Sequence, residues 1–318
     1  MIAVVANLPS WLSADFWIGV GIEAGIYAIF VLGLQLNAGF TGIFNFGQSG
    51  FMAVGAYTMG ILVVMHGWSF WPALLVATMF AVVCGVVLGL TSLRLRADYF
   101  AIVTIAFSEI ARYTLLNARE VTNGSLDIYG FDSSWVTFST SLSQHLSGLP
   151  PGVQQLLPLL ILTWILVLLL MAILIVLQHT PWGRVLRAIR DDEDAARALG
   201  KNTLLYKLQS IGLAAAIGAV AGYVLALYLA ALDPNDFTNF TFVGYAVLVL
   251  AGLGSYFGIP VGAIVFFALF EGTRYLNLPL SSDQLAALRF MLVGLVLILL
   301  MIFRPQGLFG KREEMRLR

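Results

Sequence analysis

Long apolar runs, broken by short polar or charged punctuation, dominate the chain and predict helices long enough to cross a bilayer. A hydrocarbon layer of roughly 30 Å takes about 20 mostly apolar residues to cross as a helix. The runs "FAVVCGVVLGL", inside 70–93, and "LLPLLILTWILVLLLMAILIVL", 156–177, meet that test without a single charge. Nine crossings are predicted, at 16–36, 43–65, 71–93, 98–117, 155–178, 207–231, 240–257, 259–276 and 286–304, the seventh and eighth being short. Two of the nine are interrupted. The second reads "GFTGIFNFGQSGFMAVGAYTMG" and the seventh continues into "NFTFVGYAVLVLAGLGSYFGIPVG", both rich in Gly and polar residues. Aligning Phe46 with Phe242 and Tyr57 with Tyr256 gives a loose match at an offset of about 200 residues. The two segments run in opposite directions across the layer, which is the pattern of an inverted repeat around a transport path. The fold class expected is an all-α polytopic membrane protein, one transmembrane domain over 1–318, with inverted repeats and Gly-interrupted helices.

Small residues recur every four positions at Gly218 and Gly222, at Ala81, Gly85 and Gly89, and at Gly254, Gly258 and Gly262. That spacing lets helix backbones approach closely where lipid gives no hydrophobic drive for association.

Composition supports lipid as the solvent: 60% of the 318 residues are hydrophobic and 11% charged, against about 25% charged in soluble domains. The net charge of zero conceals a strong sidedness. Thirteen of the seventeen basic residues fall in three segments: Arg94 and Arg96, the loop 179–207, and the tail 305–318 with Arg304 at its edge. Basic residues stay on the cytoplasmic side, so nine crossings place the N-terminus outside and the tail inside. The opposite loops carry Asp127, Asp132, Asp233, Asp236 and Asp283. The opening "MIAVVANLPSWLSADFW" lacks a basic n-region and reads as a mature start ahead of the first span.

Charges within predicted crossings are Glu23, Glu109, Arg112, Glu271, Arg274 and Arg289. The strings "EIARY" at 109 and "EGTRY" at 271 put acid and base on one helical face. They read either as intrahelical ion pairs that ease insertion or as groups lining a path.

Several chemistries are excluded or weakened. The single cysteine, Cys84, forms neither an internal disulfide nor a Cys-based metal cluster and reads as a packing residue. His66, His145 and His179 all fall at or beyond crossing ends, which argues against a proton relay, although a sodium-driven carrier needs none. The chain has no HExxH and no GxxxxGK[ST]. "GQSG" at 47–50 has no histidine within a crossing to act as base, and "GLGSYFG" lacks the strand-turn-helix setting of a dinucleotide loop. No enzyme activity, metal or cofactor is expected on this chain, and no nucleic acid.

The largest inner loop, 179–207, opens "TPWGRVLRAIR" and continues "DDEDAARALGKN". Asp191 or Asp192 is placed to cap a helix, Glu193 and Asp194 suit its first turn, and Gly200 is placed to end it. Ala195, Ala196 and Leu199 form one small apolar face and Val185, Leu186 and Ile189 another. Such a helix either lies on the bilayer or fills a groove on a partner.

"DAARALG" resembles the EAA---G loop of ABC importer permeases, with Asp194 in the place of Glu. "GFTGIFNFGQSGFMAVGAY", "LRLRADYFAIVTIAFSEIARY", "VTNGSLDI", "PWGRVLRAIRDDEDAARALGKN" and "FRPQGLFGKRE" together resemble the LivM-type permeases of branched-chain amino acid ABC transporters over most of 30–310. The chain departs from that pattern at "LGLQLNAGFTG", where Asn37 stands in a polar setting, and lacks the C-terminal part of the longer EAA consensus. The resemblance implies an inner-membrane permease subunit paired with a LivH-type second permease, two cytoplasmic ATP-binding subunits and an extracytoplasmic amino-acid-binding protein. It implies alternating access driven through a coupling segment containing Arg187, Asp191, Asp194, Ala195, Ala196, Leu199 and Gly200. Asn37, Asn45, Gln48 and Ser49 are the candidates for lining the path of a zwitterionic substrate. The outer loop 118–155 is expected either to dock the binding protein or to pack as a lid. A urea- or amide-importing relative and an ion-coupled carrier are the alternative functions.

Overall fold

The computed structural model describes residues 13–93, 95, 97–144, 149–273, 282–303 and 307–309. Arg94, Arg96, His145, Arg274, Arg304 and the tail beyond 309 lie outside them. Most of the described residues are helical, and one isolated antiparallel bridge, Ile128 to Leu232, supplies the extended pairing among them.

The helices are α1 (Ala14–Leu34), α2 (Gln48–Val64), α3 (Phe70–Ser92), α4 (Ala97–Asn117), α5 (Arg119–Thr122), α6 (Ser133–Gln144), α7 (Pro151–His179), α8 (Pro181–Asp191), α9 (Glu193–Ala198), α10 (Thr203–Leu229), α11 (Phe240–Ala251), α12 (Gly258–Gly272) and α13 (Ser282–Phe303). A π-helical turn, Gln35–Thr41, prolongs α1, and a 3-10 turn, Pro234–Phe237, precedes α11.

Among the described residues six helices are long and apolar enough to cross a membrane: Ala14–Thr41, Gln48–His66, Phe70–Ser92, Asp98–Asn117, Gly152–His179 and Thr203–Leu229. The seventh and eighth expected crossings correspond to α11 and α12, of 12 and 15 residues. At 1.5 Å per residue these reach only about 18 and 22 Å, short of the hydrocarbon layer. The ninth coincides with α13.

α1 is the central post. It starts at Ser13, whose side chain accepts from the Phe16 amide at 3.3 Å, and it is buried along most of its length against α7, α10, α11 and α12. Such an all-round apolar helix suits a bundle interior. On its other flank α10 packs against α2 and α3 through small residues. A Cβ at Gly55 would lie 2.5 Å from Ala219 Cβ, and one at Gly85 would lie 2.9 Å from Ala215 Cβ. The small-residue repeats read from the sequence therefore do pack helix on helix, including Gly262 against Ala251. Gly254 is an exception, since it lies in the loop between α11 and α12. Cys84 is a half-buried free thiol packed against the apolar cluster that contains Phe51 and Leu88.

The outer segment after α4 is folded over the bundle. Ile128 pairs with Leu232 through both backbone amides, at 3.3 and 3.2 Å, and Phe131 is fully buried. The described part of 118–155 thus packs on the bundle at Ile128 and Phe131, with α6 lying on α7.

Candidate functional site

The sequence 42–47 forms no helix, so the second crossing begins only at Gln48. Gly42 ends the π-helical turn at φ +73°, a left-handed conformation that costs other residues about 1–2 kcal/mol. The Ile43 amide still reaches back to the Asn37 carbonyl at 2.9 Å. The expected 43–65 helix is shortened because Asn45 takes over its start: the Asn45 side-chain oxygen accepts from the Gly47 amide at 2.9 Å.

The four path candidates are all buried, and the structure divides them. Asn45 donates to Gln48 at 3.3 Å, and Gln48 donates to the Ala214 carbonyl of α10 at 2.8 Å. The Ser49 amide donates to the Thr241 hydroxyl at 3.2 Å. Asn37 belongs to a second group, in which Ser210 donates to its side-chain oxygen at 3.0 Å and stands 2.7 Å from the Thr41 hydroxyl. Asn37 Nδ2 is buried and has no hydrogen-bond partner among the described residues. Buried polar groups without partners are costly and rare, so this amide marks a polar spot inside the bundle.

Other members of the site were missed in the sequence. Thr104 accepts from the Phe46 amide at 3.1 Å and Tyr245 donates to the Asn45 carbonyl at 3.0 Å. With its amide oriented to satisfy both, the Gln35 oxygen accepts from Gly254 and Ser255 at 2.6 and 2.9 Å. Each is a polar residue inside or beside an apolar run, which is the signal that could have found it.

The starts of α2 and α11 meet here. Thr241 lies against Ser49 and Tyr245 against Asn45, so the two segments run antiparallel along their contact. The aligned pair Phe46 and Phe242 have ring centroids 6.2 Å apart, whereas Tyr57 bonds the Leu232 carbonyl and Tyr256 stacks on Phe40.

The inner loop forms two helices rather than one. α8 buries Leu186 and Ile189 and half-buries Val185, as expected of that face. Asp192 breaks the chain and caps α9, accepting from the Ala195 amide at 2.9 Å. Gly200 follows at φ +77°, and the bonds Lys201 N–H to Ala196 O and Gly200 N–H to Arg197 O close a Schellman motif. Asp191 is the last residue of α8, and Asp194 pairs with Arg197 at 3.3 Å. The second apolar face is split: Ala196 is buried, but Ala195 is exposed and Leu199 is 81% exposed.

Two ties join this unit to the bundle. Arg190 of α8 donates to the Gly39 carbonyl in the π-helical turn, and Lys207 of α10 pairs with Glu193 of α9. Arg187 returns to the Gln178 carbonyl at 3.0 Å. A cleft of about 400 Å³ separates the unit from the broken crossing, lined by Gly42, Phe44, Arg190, Glu193 and Lys207. Burial opposes ionisation of Glu193, but Lys207, helped by Thr203 and Arg197, more than offsets it and holds the carboxyl below its ordinary 4.5. A depressed acid contributes stability above its unfolded pKa and loses it as pH falls through the folded one. Wild-type melting temperature should therefore fall more steeply than that of Glu193→Gln as pH drops below 4.5; parallel curves would refute the tie.

The Glu109–Arg112 string does pair, at 2.7 Å, and Arg112 also donates to Asn235 at 3.1 Å. The second string loses its test, because Arg274 lies outside the described residues.

The profile of the branched-chain amino acid transport system permease component matches residues 18–301. The chain belongs to that family. It is 34% identical over 311 residues to the high-affinity branched-chain amino acid transport system permease protein LivM of Escherichia coli, covering 92% of this chain and 70% of that one. A probable LivM of Methanocaldococcus jannaschii is 24% identical over 91% of both chains. The LivH permease of Escherichia coli is 26% identical over 92% of this chain and 94% of its own, so relatives include both permease types of one transport system. No solved structure matches the chain. Family membership and the six apolar helices make it a multi-pass inner-membrane permease.

Proposed function

We propose that this chain is one of two permease subunits of an ABC importer that passes branched-chain amino acids into the cytoplasm. A LivH-type permease is its membrane partner, two ATP-binding subunits dock on its inner face, and a binding protein delivers substrate from outside onto the outer loop 118–155.

The observation that carries this reading is the α8–α9 unit. Its Leu199 stands 81% exposed on a capped helix outside the bundle, while Arg190 and Glu193 tie the same unit to the π-helical turn and α10. A partner gripping Leu199 and Ala195 would thus pull on Gly39 and, through the short 42–47 connection, on the start of α2. The antiparallel meeting of α2 and α11 suits an inverted repeat, because residues near a two-fold axis, such as Phe46 and Phe242, come together while Tyr57 and Tyr256 do not. In this reading nine segments alternate across the membrane, α11 and α12 as shortened pieces. Reorientation of the two halves around the Asn37 and Gln48 groups then opens the path to alternate sides.

Reconstitution with all partners in vesicles tests this directly. L-leucine uptake should require binding protein and ATP on the cytoplasmic side, and should be indifferent to sodium and proton gradients. Uptake by this chain alone, driven by an ion gradient, would establish a secondary carrier instead.

A further inference from the structure

Near the outer ends of α10 and α12, residues of α1, α10, α11, α12 and α13 and of the 3-10 turn line an open-mouthed cavity of about 370 Å³. Its wall carries both signs of charge: Glu23 on α1, Asp236 in the 3-10 turn, Glu271 on α12 and Arg289 on α13. Charges in or beside crossings are costly and mark functional sites. The Tyr228 hydroxyl donates to Glu23 at 3.3 Å, and Glu271 is 8% exposed. Arg289 lies over the Phe270 ring at 6.0 Å, and its Nε is buried with no hydrogen-bond partner among the described residues.

The apolar side of the cavity is aromatic. Tyr27 stacks on Phe240 at 4.3 Å and meets Phe267 at 4.6 Å. Phe240 opens α11, and the next residue, Thr241, accepts from Ser49 at the start of α2. The ring cluster is therefore directly joined to the place where the two broken helices meet.

We infer that this cavity is an outer binding site for the transported amino acid: the carboxylates receive its ammonium group, the Arg289 guanidinium its carboxylate, and the rings of Tyr27, Phe267 and Phe270 its apolar side chain. The assignment rests on the proposed amino-acid import. The volume sits at the low end of the roughly 300–1,000 Å³ typical of ligand pockets, which suits one amino acid. Acid, base and aromatic wall together match a zwitterion with an apolar side chain, whereas a neutral amide such as urea carries no charge for the acid or the base to meet.

Side-chain size is the property to test, since one methylene in an apolar pocket shifts selectivity by roughly tenfold or more. In the full reconstituted transporter, Phe267→Trp narrows the cavity and Phe267→Leu widens it. The readout is the ratio of uptake efficiencies for L-valine and L-leucine, with one binding protein used throughout so that its own preference cancels. Phe267→Trp should raise the valine-to-leucine ratio about fivefold and Phe267→Leu should lower it. A ratio is insensitive to how much transporter assembles. Wild-type uptake with the same ratio in both variants would overturn the cavity assignment alone; no amino-acid uptake by the wild type would overturn the import reading as well.

Discussion

Leu199→Asp should abolish ATP-driven uptake while leaving the permease folded. Leu199 is 81% exposed and follows the last turn of α9, so its side chain supports little of the fold. Surface substitutions of this kind usually change stability by no more than about 0.5 kcal/mol. If, as proposed, the same side chain fills a groove on an ATP-binding subunit of the assembled importer, a carboxylate there loses its water without gaining a partner. That penalty is about 3 kcal/mol, or roughly a hundredfold in affinity. Co-purification of the ATP-binding subunits should fail, and uptake should drop to the level without ATP, while the melting temperature of the isolated permease stays put. Full retention of the ATP-binding subunits would remove α9 from the coupling surface. The neighbouring Arg190 gives a different phenotype to compare. Removing its bond to the Gly39 carbonyl leaves the docking face intact and cuts the tie behind it, so ATPase subunits should still bind while uptake falls.

What the sequence reveals here is what local chemistry decides. Uninterrupted apolar length marks α3 and α7, and cap residues mark α9, because Asp192, Ala195, Gly200 and Lys201 settle that turn among themselves. The break at 42–47 is visible as Gly and Asn in an apolar context, but its geometry is not. Gln48 is fixed by a carbonyl 166 positions away and Ser49 by a hydroxyl 192 positions away. The outer cavity is less legible still, since Glu23, Asp236, Glu271 and Arg289 come from four separated segments, Asp236 reading as a loop acid and the others as charges in three different spans. Leu199 and Ala196 belong to one apolar face by periodicity; only the packing of α9 on the bundle decides which is covered.

The same distinction between spacing and packing sets up the second large effect, on α10. Gly222→Ala should destabilise the permease strongly, whereas Gly212→Ala on the same helix should leave it as stable or more so. A Cβ at Gly222 would collide with the Met52 carbonyl of α2, whose carbon lies 3.0 Å from it. The obstacle is backbone, so no side chain can rotate away, and the two helices must separate. Overpacking of this sort costs about 3 kcal/mol, which on the scale of domains of 150–250 residues is a melting shift of roughly 6–12 °C. At Gly212 the new methyl would rest 3.6 Å from Val82 and Val86, an ordinary contact, and it reduces the freedom of the unfolded chain by about 0.4–1 kcal/mol. Because the substitution is identical at both sites, helix propensity cancels in the comparison. What remains is the close approach of α10 to α2, the helix that begins at the broken crossing. Thermal denaturation in detergent decides the matter: equal melting temperatures for the two variants would mean that small-residue contact does not hold these helices together.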